Sequence, residues 1–250
     1  MTDDMREFGL GAIPSPPDPG DEAYHFARIA AEIPMPTLPV TVPLPPGGAW
    51  DQLNEGTCVG HGVGLAAVVA IHKATGQWII SNAIAGHALG RDPYHQANPI
   101  DLTYQAGTYV RSGLKAAQKV GVLGADGKRY RIGTYRSLLP SADILGDVER
   151  AIGAGMIVVA GARWPRAWMA RDYAFDTLPE PGANPIIAGG HCFAIWRVAS
   201  KHPAAGVPSL RTDPSIMNSW DHRWTQDGAA YFDGALLSGP LYYDLWVVEA

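Results

Sequence analysis

Cysteine is almost absent from this 250-residue chain: Cys58 and Cys192 are its only two. A fold stapled by several disulfides is thereby excluded, and a setting that is reducing or indifferent to redox state is expected. Long apolar runs are missing too. No stretch approaches the ~20 consecutive apolar residues that span a bilayer. The N-terminus, MTDDMREFGLGA, is acidic and polar, unlike a secretory signal. The expectation is therefore no signal peptide, no transmembrane segment and a cytoplasmic protein, or part of a virus particle if the chain is phage-encoded. Basic runs are equally scarce, the longest being Lys128-Arg129-Tyr130-Arg131, and the net charge is −5. Neither nucleic acid nor a membrane is expected as a partner.

What is present suits a folded protein. Hydrophobic residues make up 47% and charged residues 17%, the balance of an ordinary globular chain with one domain or a two-lobed unit. Residues 1–46 hold ten prolines, from Pro14 to Pro46, and such a segment should run extended over a surface. We divide the chain into a Pro-rich arm, 1–37, and a domain, 38–250. Within the arm, Asp21 to Ile33 reads as a short helix whose Tyr24, Phe26, Ile29 and Ile33 are available for docking, with a protein partner as one candidate.

After Trp50 the pattern changes. The apolar run from Val63 to Ile71, closed by Gly76, predicts a helix. Asn82 to Ile100, rich in Gly, His, Asn and Pro, reads as an irregular excursion. Further helices are predicted over Thr108–Val120, with Thr108 as N-cap, and over Ser141–Gly153. The second half predicts strands at Met156–Ala160, His191–Val198, Ala229–Phe232 and Leu241–Val248. Helices first and strands later predict an α+β protein with segregated layers.

Three separated segments carry candidate chemistry. In the first, Gln52-Leu-Asn-Glu-Gly-Thr-Cys58 leads into the apolar helix. A cysteine at a helix N-terminus is placed where backbone N–H groups and the helix dipole favour a thiolate. Gln52 could donate its side-chain N–H to an oxyanion, with the Cys58 backbone N–H as second donor. In the second, Gly189-Gly190-His191-Cys192 opens a strand: the glycines leave room for a substrate backbone and the strand mounts the imidazole rigidly. In the third, Asn218-Ser219-Trp220 offers an acceptor to one imidazole nitrogen and a ring to shield that bond.

These segments together resemble the papain-type cysteine peptidases over residues 38–248. The family's Gln…Gly-Ser/Thr-Cys pattern corresponds to Gln52, Gly56, Thr57 and Cys58. Its Gly-His-Ala corresponds to Gly190, His191 and Cys192. Its Asn-Ser-Trp-Gly-x-x-Trp-Gly-x-x-Gly corresponds to Asn218, Ser219, Trp220, Trp224 and Gly228. His191 lies 133 positions after Cys58, within the family's range. The resemblance implies a two-lobed α+β fold, helical lobe against antiparallel β-lobe, with the active site in the cleft between them. It also implies a polypeptide substrate, catalytic Cys58, His191, Asn218 and Gln52, a substrate pocket bordered by Gly190, Cys192, Ala160 and Trp220, and neither metal nor other cofactor.

Departures from the family pattern carry information. Glu55 and Val59 replace the cysteine and tryptophan that flank the family's nucleophile, so no local disulfide forms there, as in short bacterial and phage-type relatives. Asp221 and Thr225 replace two motif glycines, and a carboxylate at Asp221 is expected near the rim of the site. The arm is too short for the family's folded prodomain. The short tether from Pro39 to Trp50 predicts that it runs along the domain's flank as a strap, not across the cleft. Two other readings stay open: an amide or isopeptide transferase using the same residues, and a non-catalytic module of the same fold, such as a virus-particle component.

Overall fold

A computed structural model describes residues 9–20, 24–169, 177–199, 213–222, 224–225 and 227–250. The chain opens with β1 (Ala12–Ile13), α1 (Ala27–Ala30) and β2 (Val40–Thr41). Then come α2 (Cys58–Thr75), α3 (Ala83–Ala97), β3 (Thr108–Tyr109), α4 (Val110–Lys119), β4 (Val122–Leu123) and β5 (Arg129–Tyr130). β6 (Thr134–Ser137), α5 (Ile144–Gly153), β7 (Val158–Pro165), β8 (Ile187–Ala199), β9 (Asp213–Met217), β10 (Ala229–Tyr231) and β11 (Tyr242–Glu249) follow. The main sheet runs β10-β9-β8-β7-β11-β6, antiparallel throughout, with β2 added beside β8. Helices α2, α3 and α4 form the opposing layer, and α2 lies directly against β7, β8 and β11. The predicted α+β architecture holds.

α2 is buried from Cys58 through Ile71, which is why its apolar residues surround the whole helix and leave no stripe. Among the described helices it alone is long and apolar enough to cross a membrane, and it is the central helix of the core. Gly76 ends it in the left-handed conformation, φ 73°, as the sequence predicts. The reading of Asn82–Ile100 needs correction. Ala83–Ala97 is a helix, capped by the Asn82 side chain accepting from the Ala85 N–H at 2.9 Å. Its glycines serve packing: a Cβ at Gly60 of α2 would strike the carbonyl of Gly90 in α3, so only small residues let the two helices approach this closely. α4 begins at Val110 after β3, so Tyr109 takes the cap position assigned to Thr108. α5 is capped by Asp143, whose side chain accepts from the Gly146 N–H at 3.1 Å.

Of the predicted Asp21–Ile33 helix, the described residues show an α-helical turn at Ala27–Ala30; its first three residues lie outside the described ones. Phe26 is fully buried, its N–H donating to the Ser137 carbonyl at 2.7 Å. Ile29 and Ile33 pack against the chain's own core, and Tyr24 stacks on Tyr135.

Candidate active site

Cys58 is the first residue of α2, and its side chain is fully buried. Backbone N–H groups of Cys192, Gly11, Val59 and Ala12 point at its sulfur. The Cys192 N–H sets the thiol against the peptide linking His191 to Cys192. These donors favour a thiolate, but burial outweighs them and pushes the thiol up to about 11. The thiolate expected from the helix N-terminus is therefore not the resting state: Cys58 is a protonated thiol under cover.

The cover is the N-terminal arm, and here the expectation of a flank route is wrong. Residues 9–18 lie across the cleft. β1 pairs in parallel with β3, and the Thr108 N–H donates to the Gly11 carbonyl at 2.8 Å. Tyr243 Oη donates to the Ala12 carbonyl at 3.1 Å, and the Ser15 N–H donates to Asp244 Oδ2 at 3.0 Å. Arg111 donates to the Pro16 carbonyl, and Lys115 Nζ meets Asp18 Oδ2 at 3.1 Å. Contact is so close that a Cβ at Gly11 would collide with the Gly56 carbonyl, and one at Gly190 with the Ala12 carbonyl. The tether argument failed on reach. At ~3.3–3.6 Å per extended residue, the chain between Ile13 and Pro39 is long enough to pass α1 and still enter the cleft.

β8 begins at Ile187, not at His191 as the sequence predicts, because Gly189 and Gly190 pair with Trp164 and Arg163 of β7. His191 therefore sits inside the strand, paired with Ala162, and is fully buried. Its Nε2 lies 2.7 Å from Asn218 Oδ1, while Nδ1 is buried without a hydrogen-bond partner. Burial holds the imidazole down to about 4 despite the Asn218 bond, so the ring is neutral. Trp220 stacks on it at 4.5 Å between centroids, and Trp164 meets it edge-on at 4.7 Å. Trp168 and Trp224 complete this buried aromatic wall. The Asn218 N–H is fixed by the Gly228 carbonyl at 2.9 Å.

Gln52 is fully buried. Its Nε2 donates to the Gly9 carbonyl at 2.9 Å and to the Glu55 carbonyl at 2.6 Å. Ser219 holds the other end: its hydroxyl donates to Gln52 Oε1, and its carbonyl accepts the Gln52 N–H at 2.7 Å. Sequence reasoning assigned Ser219 no task of its own, because a serine between two motif residues carries no distinguishing signal. Glu55 is taken up by a two-point ion pair with Arg91.

The pocket residues separate by strand face. Directly paired residues share a face. Ala160 pairs with Phe193 and Ala162 with His191, on the aromatic side. Gly161 pairs with Cys192, and a Cβ added at Gly161 would meet Tyr243, Asp244 and Val110, the groups around the arm. Cys192 packs toward Gly62 of α2, and burial raises its thiol well above the usual range. Gly189 touches Leu10, and Gly190 the Ala12 carbonyl.

Asp221 and Thr225 explain the glycines they replace. Both adopt the left-handed conformation, φ 57° and 56°, where glycine carries no Cβ penalty. The Asp221 N–H donates to the Trp50 carbonyl at 3.0 Å.

Comparison with solved structures decides the fold. Xylellain, a cysteine protease from Xylella fastidiosa, superposes with a TM-score of 0.74 over 98% of this chain and 97% of its own, at 19% identity. This chain has the papain-like fold. Digestive procathepsin L 3 from the Tenebrio molitor larval midgut follows with a TM-score of 0.64, 10% identity and coverage of 98% and 77%. The ragweed pollen allergen Amb a 11, a cysteine protease in its proform, gives 0.64, 15% and coverage of 90% and 70%. No family model and no curated protein matches the sequence itself.

Proposed function

We propose that the chain is a papain-like cysteine peptidase held latent by residues 9–18 of its own arm. The observation that carries this reading is the seat of the arm: the Gly11 and Ala12 N–H groups face the Cys58 sulfur, the Gly9 carbonyl takes the Gln52 amide, and the Ala12 carbonyl lies against Gly190, next to a His191 that Asn218 holds at 2.7 Å.

With the arm displaced, Cys58 loses its cover and the helix N-terminus can stabilise a thiolate beside a His191 imidazolium. The sulfur attacks the carbonyl carbon of an extended polypeptide. Gln52 Nε2 and the Cys58 backbone N–H hold the oxyanion. His191 passes its proton to the leaving amine, giving a thioester to Cys58. Water, deprotonated by His191, then hydrolyses the thioester and restores the thiol. Asn218 keeps the ring oriented and Trp220 shields their bond.

The arm occupies groups that catalysis would use: its Gly11 and Ala12 N–H groups face the Cys58 sulfur, and its Gly9 carbonyl takes the Gln52 donor. Two neighbours of similar fold are described as precursors, a procathepsin and a proform.

The test is incubation of a 19–250 variant with a peptide library, with and without an epoxide thiol trap, read by mass spectrometry. Cleavage that disappears in Cys58→Ala supports the reading. No cleavage by a folded, trap-labelled 19–250 protein would overturn it in favour of the non-catalytic module. Coupled products on adding an amine acceptor would favour the transferase.

A further inference from the structure

A cavity of about 470 Å³ lies on the face of the β-lobe formed by β8, β9 and β10, and Cys58 does not line it. Its floor is a row set by strand register: Arg197 of β8 stands opposite Ser215 of β9, which stands opposite Tyr231 of β10. Paired residues project to one face, so these three side chains are neighbours. Ser215 is small enough for the Arg197 guanidinium to arch over it, 4.6 Å from the centre of the Tyr231 ring.

A β-bulge between Ile195 and Arg197 alters the usual alternation. Consecutive strand residues normally face opposite ways, yet Trp196 and Arg197 both line this cavity. The bulge aims an indole and a guanidinium into one space, a device that accompanies binding sites more often than plain strands do.

The donors gathered there are unspent. Trp196 Nε1, Arg197 Nε and Ser215 Oγ are all buried without a hydrogen-bond partner, and Ser215 is wholly buried. Among the described residues the Arg197 guanidinium makes no ion pair and lies against the Trp196 and Tyr231 rings. Three donors around a cation, walled by Leu44, Met217 and Ala230, call for an acceptor bearing negative charge on an apolar body. Asp227 and His222 stand at the same cavity, so the ligand's far end is neutral or cationic.

From this convergence of Trp196, Arg197 and Ser215 on one cavity, we infer a binding site for a small oxyacid, a carboxylate or phosphate monoester carried on a compact apolar group. The guanidinium and the Ser215 hydroxyl take the oxyanion, and Tyr231 and Trp196 flank the apolar body. The site is independent of the peptidase reading.

Calorimetry on the full-length Cys58→Ala chain tests it, with benzoate, phenyl phosphate and, as the neutral control, benzamide. At least one oxyanion should bind with millimolar or tighter Kd, and the stronger of the two identifies carboxylate or phosphate. Binding should weaken roughly tenfold or more in Arg197→Gln. Ser215→Ala, which leaves the guanidinium stacked, should weaken it about threefold. No heat from either oxyanion, equal binding of benzamide, or unchanged binding in folded Arg197→Gln or Ser215→Ala protein would overturn the assignment.

Discussion

The side-chain amide of Gln52 donates to the carbonyl of Gly9 at 2.9 Å. That bond joins the residue read as oxyanion donor to a residue of the arm, so freeing one means displacing the other. Removing residues 1–18 should raise kcat/KM on a peptide substrate at least tenfold and speed alkylation of Cys58. A single atom should do part of the same. Gly11→Ala places a methyl group against the Gly56 carbonyl, so the arm can no longer seat. Alkylation timed by mass spectrometry checks both; unchanged rates in both variants would show that the arm is no barrier.

The reactivity of Cys58 should shift with pH when the arm leaves. In the intact chain, thiolate forms only as pH rises through about 11. In the 19–250 variant, water and an imidazolium reach the sulfur, and the midpoint of the iodoacetamide rate profile should fall by two units or more. Cys192 should stay unlabelled in both, being packed against α2. Stability follows the same proton. A thiol raised from 9.0 to about 11 in the folded chain contributes fully below pH 9, and its contribution is lost as pH climbs toward 11.

Ser219→Ala should lower kcat more than it raises KM. Its hydroxyl fixes Gln52 Oε1, so without it the amide is free to turn away from the oxyanion. A loss of roughly tenfold is expected, against about 10²–10³ for Gln52→Ala. Steady-state kinetics in the 19–250 background separates the two. Ser219→Thr, which keeps the hydroxyl, should recover most of the loss.

Acid should destabilise the fold through two buried imidazoles. His191 is held down to about 4 and His61 to about 3, chiefly by burial. Each contributes fully above pH 6.5, the ordinary histidine value, and its contribution is lost as pH falls toward the folded value. For His191 the shift is worth about 3 kcal/mol. Urea midpoints between pH 7 and 4 should fall, and His191→Gln should flatten part of that slope. An identical slope in the variant would place the acid sensitivity elsewhere.

Much of this was legible in sequence because it is local. Cys58 before an apolar run and Gly76 ending a helix need only nearest neighbours to be read; the strand predicted to open at His191 starts at Ile187 instead, because Gly189-Gly190 reads as loop until its pairing with β7 is seen. α3 was missed because its Gly and Pro content argues against a helix in isolation; the close approach of Gly60 to Gly90 that stabilises it is a tertiary fact. The arm's route was missed for the same reason. Nothing in Gly9-Leu-Gly-Ala-Ile announces that it will pair with Thr108 and Tyr109, residues almost a hundred positions away. Ser219 could be read only once Gln52 was seen beside it.

On the proposed reading the segment that covers Cys58 belongs to the same chain, so latency would not depend on how much protein is present. A tethered occupant meets its cleft at an effective concentration on the order of millimolar, whatever the dilution. Substrate therefore competes against a fixed opponent, and cooling, crowding or scarcity alone does not switch the molecule on. Cutting the tether changes the rule. Once severed anywhere between Asp18 and α1, the same residues become a free peptide that dilution removes, and activation turns from an equilibrium into a one-way event.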